Sequence, residues 1–141
     1  MADISGGGCR YKYDGRKFFG KWLDVFAPGL TLCQYEQFIK DAFVWHVFSF
    51  GLLPERSFLI GDEARAAYNA ARKSGAEYIL LWADENEPLP LPEKYSTAEK
   101  IEEREAAELY IVGKNFEWTY VETHETSCGL GPYFMRAPAR G

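Results

Sequence analysis

Between Thr123 and Phe134 the chain sets an imidazole, a carboxylate and a thiol, His124, Glu125 and Cys128, into one loop closed by Gly129 and Gly131. An imidazole beside a thiol can hold it as the thiolate, which is the nucleophilic form, and a His with a Cys is also half of a zinc site. His46, flanked by Trp45 and followed by Ser49, is the remaining histidine and a candidate general base. Each reading competes with a structural one. His124 and Cys128 supply only two ligands, so no metal is expected, and no other cofactor is implied. A His-Glu pair at a strand end more often hydrogen-bonds the backbone of its loop as a latch, and a single Cys is more often a small buried hydrophobe. A histidine on an apolar face, as His46 is, is usually core and bonded to a hydroxyl or a backbone carbonyl. Gly129-x-Gly131-Pro132 is followed by neither a helix start nor a Lys-Ser/Thr pair, so it is not a phosphate loop.

The elements that must position these residues follow from periodicity. From Asp14, the residues Phe18, Phe19, Trp22, Leu23 and Phe26 recur at helical spacing until Pro28-Gly29 stops the pattern. Thr31 with Gln34 reads as a capping box for a second helix, with Leu32, Tyr35, Phe38, Ile39, Ala42, Phe43 and His46 on one face. The stretch from Phe43 to Phe50 is apolar all round and fits either a buried helix end or a buried strand. Gly61-Asp62 opens a third helix with a small face of Ala64, Ala67, Tyr68 and Ala71, and Gly75 suits its C′ position. Ala76 to Ala83 reads as a strand, Asp84 to Pro92 as an extended acidic loop, and Ser96 with Glu99 as the cap of a charged helix ending near Ala107. Glu108 to Val112, the turn Gly113-Lys114-Asn115, and Phe116 to Thr123 form a hairpin. Gly131 to Met135 returns as a third strand of the meander, so the His124/Glu125/Cys128 loop joins its second and third strands.

The spacing therefore predicts an α+β fold: a mostly antiparallel sheet ending in a three-strand meander, packed against three to four helices. At 141 residues the chain is expected to be one domain, with residues 1–9 and 137–141 flexible. Ten Phe, nine Tyr and four Trp are enough to build a core and exclude the disordered class. Cys9, Cys33 and Cys128 are too few and too far apart for a disulfide framework and imply a reducing cytoplasm. Neither a secretory leader nor a membrane-spanning run is recognisable.

Net charge is −5, and it is concentrated: nine acidic residues stand between Asp84 and Glu108 against Lys94, Lys100 and Arg104. That sign argues against nucleic acid, whose affinity comes from clustered Lys and Arg, and leaves a basic protein as the expected partner. Asp84, Glu85, Glu87, Glu102, Glu103 and Glu105 are the candidate partner-binding residues.

The segment from Phe43 to Phe50, with its Trp-His-x-Phe-Ser core, the run Gly61-Asp-Glu-Ala-Arg-Ala-Ala-Tyr68, the run from Asn115 to Glu125 with its Thr-His-Glu, and Cys128-Gly…Gly131-Pro-Tyr-Phe134 together resemble a family of short bacterial proteins of unknown function. The resemblance spans about residues 30 to 135, departs by inserting Leu130 into the Cys-Gly-Pro stretch, and implies no catalytic assignment. The expected function is a non-enzymatic binding protein of the cytoplasm. Its size, acidity and aromatic richness are those of an immunity-like inhibitor of a bacterial toxin. The alternative is a small enzyme or metal-binding protein that uses the His124/Glu125/Cys128 loop.

Overall fold

Strand and helix periods alternate along this chain, and the resulting elements fall into two compact units, Met1–Glu55 and Arg56–Gly141. The computed structural model describes residues 18–40, 45–54, 57–72, 79–82, 89–92, 95–102, 108–123 and 131–138.

In the first unit, the aromatic stripe forms helix α1 (Phe18–Phe26). Its Trp22, Leu23 and Phe26 are buried, and Trp22 meets Phe26 one turn on, with ring centroids 5.2 Å apart. Phe48 adds an edge-on contact to Trp22 at 5.9 Å. The capping box is present in both directions. Thr31 Oγ1 accepts from the Gln34 amide at 3.1 Å, and Gln34 Oε1 accepts from the Thr31 amide at 3.0 Å. Helix α2 (Leu32–Gln34) does not run on to His46, however. It widens into a π-helical turn over Tyr35–Ile39 and stops at Lys40, whose ψ of 131° is extended. Leu32, Tyr35, Phe38 and Ile39 thus stand apart from His46, which begins the short helix α3 (His46–Ser49), while Ala42 and Phe43 lie outside the described residues. For residues 46–49 the choice between helix and strand falls to helix.

The second unit is a six-stranded sheet, β1 (Leu59–Ile60), β2 (Ile79–Trp82), β3 (Leu89–Pro90), β4 (Leu109–Val112), β5 (Trp118–Glu122) and β6 (Tyr133–Arg136), in the order β1-β6-β5-β4-β2-β3. Every neighbouring pair is antiparallel, and β4, β5 and β6 are the expected meander. With helices α4 (Asp62–Ala71) and α5 (Ala98–Glu102) beside it, the class is α+β.

Four details depart from the sequence reading, each for a local reason. Leu89–Pro90 is a strand within the expected loop, and it sits at a sheet edge, where a proline costs the ladder least. Strand β1 carries exposed Leu59 and Ile60 and has too few residues for any periodicity to register. Helix α4 ends at Ala71 rather than reaching toward Gly75, because Arg72 turns extended and sends its guanidinium to the Tyr68 hydroxyl and the Tyr95 carbonyl. The cap of α5 is Thr97, whose Oγ1 accepts from the Lys100 amide at 3.1 Å, while Ser96 takes the Lys100 ammonium.

The β4–β5 hairpin turns through a 3-10 segment, Lys114–Phe116, in which Asn115 and Phe116 both adopt left-handed φ, so β5 starts at Trp118 and not at Phe116. Gly113 closes this turn by donating its amide to the Trp118 carbonyl at 3.0 Å. A Cβ on Gly113 would lie 2.5 Å from the Trp118 indole nitrogen. Gly113→Ala should therefore lower the unfolding free energy by about 1–3 kcal/mol through overpacking, measurable by denaturant titration with an unchanged m-value.

Candidate functional site

Alternation along β5 places Trp118, Tyr120 and Glu122 on one face, and cross-strand register adds Leu109 and Ile111 from β4 and Phe134 from β6. The small residues of α4 let that helix approach this face closely. Ala64 and Tyr68 are fully buried in a core shared with Ala98 and Ile101 of α5. Tyr68 stacks on Tyr120 with ring centroids 4.4 Å apart and meets Trp118 edge-on at 5.7 Å, and Trp118 stacks on Phe134 at 5.6 Å. The Tyr68 hydroxyl is satisfied by donating to the Tyr95 carbonyl at 2.6 Å.

The polar end of this aromatic layer is different. Tyr120 is fully buried, and its hydroxyl has no hydrogen-bond partner among the described residues. Glu122, next on the same face, is only 8% exposed, and its Oε2 likewise has no hydrogen-bond partner among the described residues. Burial of a carboxylate without a hydrogen bond favours the neutral acid. Glu122 is accordingly pushed up to about 7, mainly by loss of water, then by the negative charge of Glu102, with Arg65 opposing. The Tyr120 phenol is also raised, first by burial and then by the charges of Glu122 and Glu102.

Arg65, from the first turns of α4, is the cation of the cluster. Its Nε donates to Glu102 Oε2 at the last residue of α5, and its Nη1 donates to Asp62 Oδ1 at 2.7 Å. Two carboxylates thus hold one guanidinium, the exposed Asp62 and the surface Glu102, and the charges of Glu102 and Arg65 act in opposite senses on the buried Glu122. At the other end of the helix pair, Asn69 Oδ1 accepts from the Ala98 amide at 2.9 Å and Asn69 Nδ2 donates to Glu99 Oε1. The two helices are therefore tied at both ends by side chains.

Of the residues singled out from the sequence, Glu102 lies in this cluster. His124, Glu125 and Cys128 lie outside the described residues, as do Asp84, Glu85, Glu87, Glu103 and Glu105. His46 is in the first unit, half-buried, with Nδ1 donating to the Phe38 carbonyl at 2.8 Å and its ring edge-on to Trp45 and Phe50. That is the backbone-carbonyl bond by which a core histidine is satisfied. Cys33 is an exposed free thiol. Glu122, Tyr120, Arg65 and Asp62 were not singled out. The signal for Glu122 is its parity, an acid on the strand face that carries Trp118 and Tyr120.

Among the described residues no three His, Cys, Asp or Glu side chains are grouped to hold a metal ion, and no helix is long and apolar enough to cross a membrane. A family model described as a domain of unknown function (DUF4275) matches residues 10–134. No curated protein and no solved structure matches the chain.

The buried acid sets a pH dependence. Between the ordinary value of 4.5 and about 7, the folded chain keeps the Glu122 proton that the unfolded chain has already lost. Stability therefore falls as pH rises through that window, and the cost is complete above it. Glu122→Gln should remove this slope and raise the unfolding free energy by roughly 2 kcal/mol at about pH 8, a tenfold change in proton affinity being worth about 1.4 kcal/mol and partial solvation trimming the total. Denaturant titrations of both proteins across that range would show it, and parallel curves would contradict it.

Proposed function

The chain belongs to the DUF4275 family, and we propose that it is a non-enzymatic binding protein whose target-facing surface is the acidic face of α4 and α5. The observation that carries this reading is the charge on those two helices. Asp62, Glu63, Glu99 and Glu102 are exposed there, while Arg65 is engaged with Asp62 and Glu102, and Lys100 with Ser96. Such a surface attracts a basic protein, speeds the encounter, and disfavours nucleic acid and anionic lipid. The acidic residues from Asp84 to Glu108 extend the same sign along the sequence. An immunity-like inhibitor of a toxin in the bacterial cytoplasm is the form of binding protein that these properties suit. That step is analogy from size, charge and aromatic content.

Reversing charge with Glu63→Lys and Glu99→Lys together should slow association with a basic partner about tenfold at low salt and flatten the salt dependence. Stopped-flow or surface-binding rates against ionic strength measure both. An unchanged rate and an unchanged salt slope would sink the assignment of this face.

One observation favours a second reading, a small enzyme using the His124/Glu125/Cys128 loop. Glu122, held near 7 at the end of β5, stands two residues before His124, and a carboxyl tuned to that range can act as a general acid or base at neutral pH. This reading requires Cys128 or a bound metal to be active. Thiol titration against pH should then give a Cys128 pKa well below about 8.5, or elemental analysis should find metal in the purified protein. An ordinary, unreactive Cys128 in metal-free protein leaves the binding reading standing.

A further inference from the structure

We infer that Arg65 is a built-in competitor of the basic partner: its guanidinium holds Glu102 in the unbound chain, and a partner's Arg or Lys must displace it to reach that carboxylate.

The inference rests on the way two side chains of α4 hold α5. Arg65 and Asn69 stand one helical turn apart, and they meet Glu102 and Glu99, which stand one turn apart on α5. The two ties are alike in placement and different in charge. Asn69 donates to Glu99 Oε1 at 3.1 Å and accepts from the Ala98 amide at 2.9 Å, so it fixes Glu99 without cancelling its charge. Arg65 fixes Glu102 through Nε with a full positive charge, while its Nη1 takes Asp62 Oδ1 at 2.7 Å. A partner therefore finds Glu99 oriented and still anionic, whereas at Glu102 it finds an ion pair already made.

Exposure decides which of the two Arg65 contacts is the obstacle. The Asp62 side chain is 98% exposed and stays open to a second cation even while bonded. The side chains of Glu102 and Arg65 are 32% and 24% exposed, so this pair is half withdrawn from water yet within reach of an arriving group. A pair of that kind contributes little stability by itself. When it opens, α5 is still held by Asn69 and by the burial of Ala98 and Ile101 beside Ala64 and Tyr68. Exchange of one cation for another on Glu102 is thus a local event, and it leaves Arg65 bonded to Asp62.

This deepens the partner-binding reading given above, on which it rests. Glu63 and Glu99 supply the attraction, and displacement of Arg65 sets how tightly the partner stays. A weakly basic protein lacks the group that can replace a guanidinium, so the same contact excludes poor partners.

The test titrates an octa-arginine peptide, as the basic probe, into the full chain at low salt by calorimetry. Arg65→Lys keeps the formal charge but replaces the fork that bonds Glu102 and Asp62 together by a single ammonium. It should bind the peptide about threefold more tightly than the parent. A purely structural Arg65 gives the opposite sign, because a loosened α5 would disperse Glu99 and Glu102 and weaken binding, and an effect of net charge alone gives no change. In the background of Glu102→Gln the gain from Arg65→Lys should vanish. An affinity unchanged or lowered in Arg65→Lys, or a gain that persists alongside Glu102→Gln, would overturn the competitor. Glu63→Lys with Glu99→Lys probes the reading beneath it. If that variant loses the peptide while Arg65→Lys gains nothing, the acidic face stands and the competitor falls. If it binds as the parent does, or if no form binds, the face falls and the competitor with it.

Discussion

Tyr68 is the side chain on which the second unit is organised. Its ring lies flat on Tyr120 and edge-on to Trp118, which binds α4 to β5, and its hydroxyl donates to the Tyr95 carbonyl just ahead of α5. One residue thus joins a helix, a strand and the entry to a second helix. Fully buried aromatic pairs of this kind contribute beyond their buried area because offset and edge contacts align the ring quadrupoles. The hydroxyl adds a constraint of direction, since a buried phenol must find an acceptor. Ala64 and Ala98 complete the arrangement by leaving room for the rings.

That packing explains the electrostatics beside it. By sealing the face of β5, the aromatic layer takes water away from Tyr120 and Glu122 together. Among the described residues, neither the Tyr120 hydroxyl nor Glu122 Oε2 is given a hydrogen-bond partner in return. A buried acid with an unbonded oxygen is a cost that a purely structural site would be expected to shed through a hydrophobic replacement. Here its charge is coupled to those of the ion pair that holds two helices together. Stability and responsiveness therefore draw on the same few atoms.

Much of this fold was legible in the sequence, and the reason differs by element. The β4–β5 hairpin was legible because Trp118 and Tyr120 alternate with polar positions and Asn115 tolerates left-handed φ. The Thr31 cap was legible because its chemistry is local, closed within four residues. Strands β1 and β3 were not, since two residues carry no period and their pairing partners, β6 and β2, are supplied by the rest of the chain. The polar cluster was half legible. Parity put Glu122 on the face of Trp118 and Tyr120, but Arg65 and Glu102, whose charges act on it, are 57 and 20 positions away in sequence, and only the packing of α4 and α5 on that face sets them there. The acidic run between Asp84 and Glu108 drew attention by its density. Density locates a surface, whereas a single acid among rings marks a change of environment, and the second is the quieter signal.

The two ends of the sheet have a bearing on how this chain behaves when concentrated. A row of unpaired amides and carbonyls is a template on which another molecule can add a strand, and a chain this rich in Phe, Tyr and Trp has many segments able to do so. Among the described residues each flank has a ladder of two residue pairs, β1 on one side and β3 on the other, and in β3 one of the two residues is Pro90, which has no amide hydrogen to offer. The aromatic strands β4, β5 and β6 are interior, with both flanks occupied. The brevity of these outer strands leaves few amides and carbonyls on which a further strand could be templated.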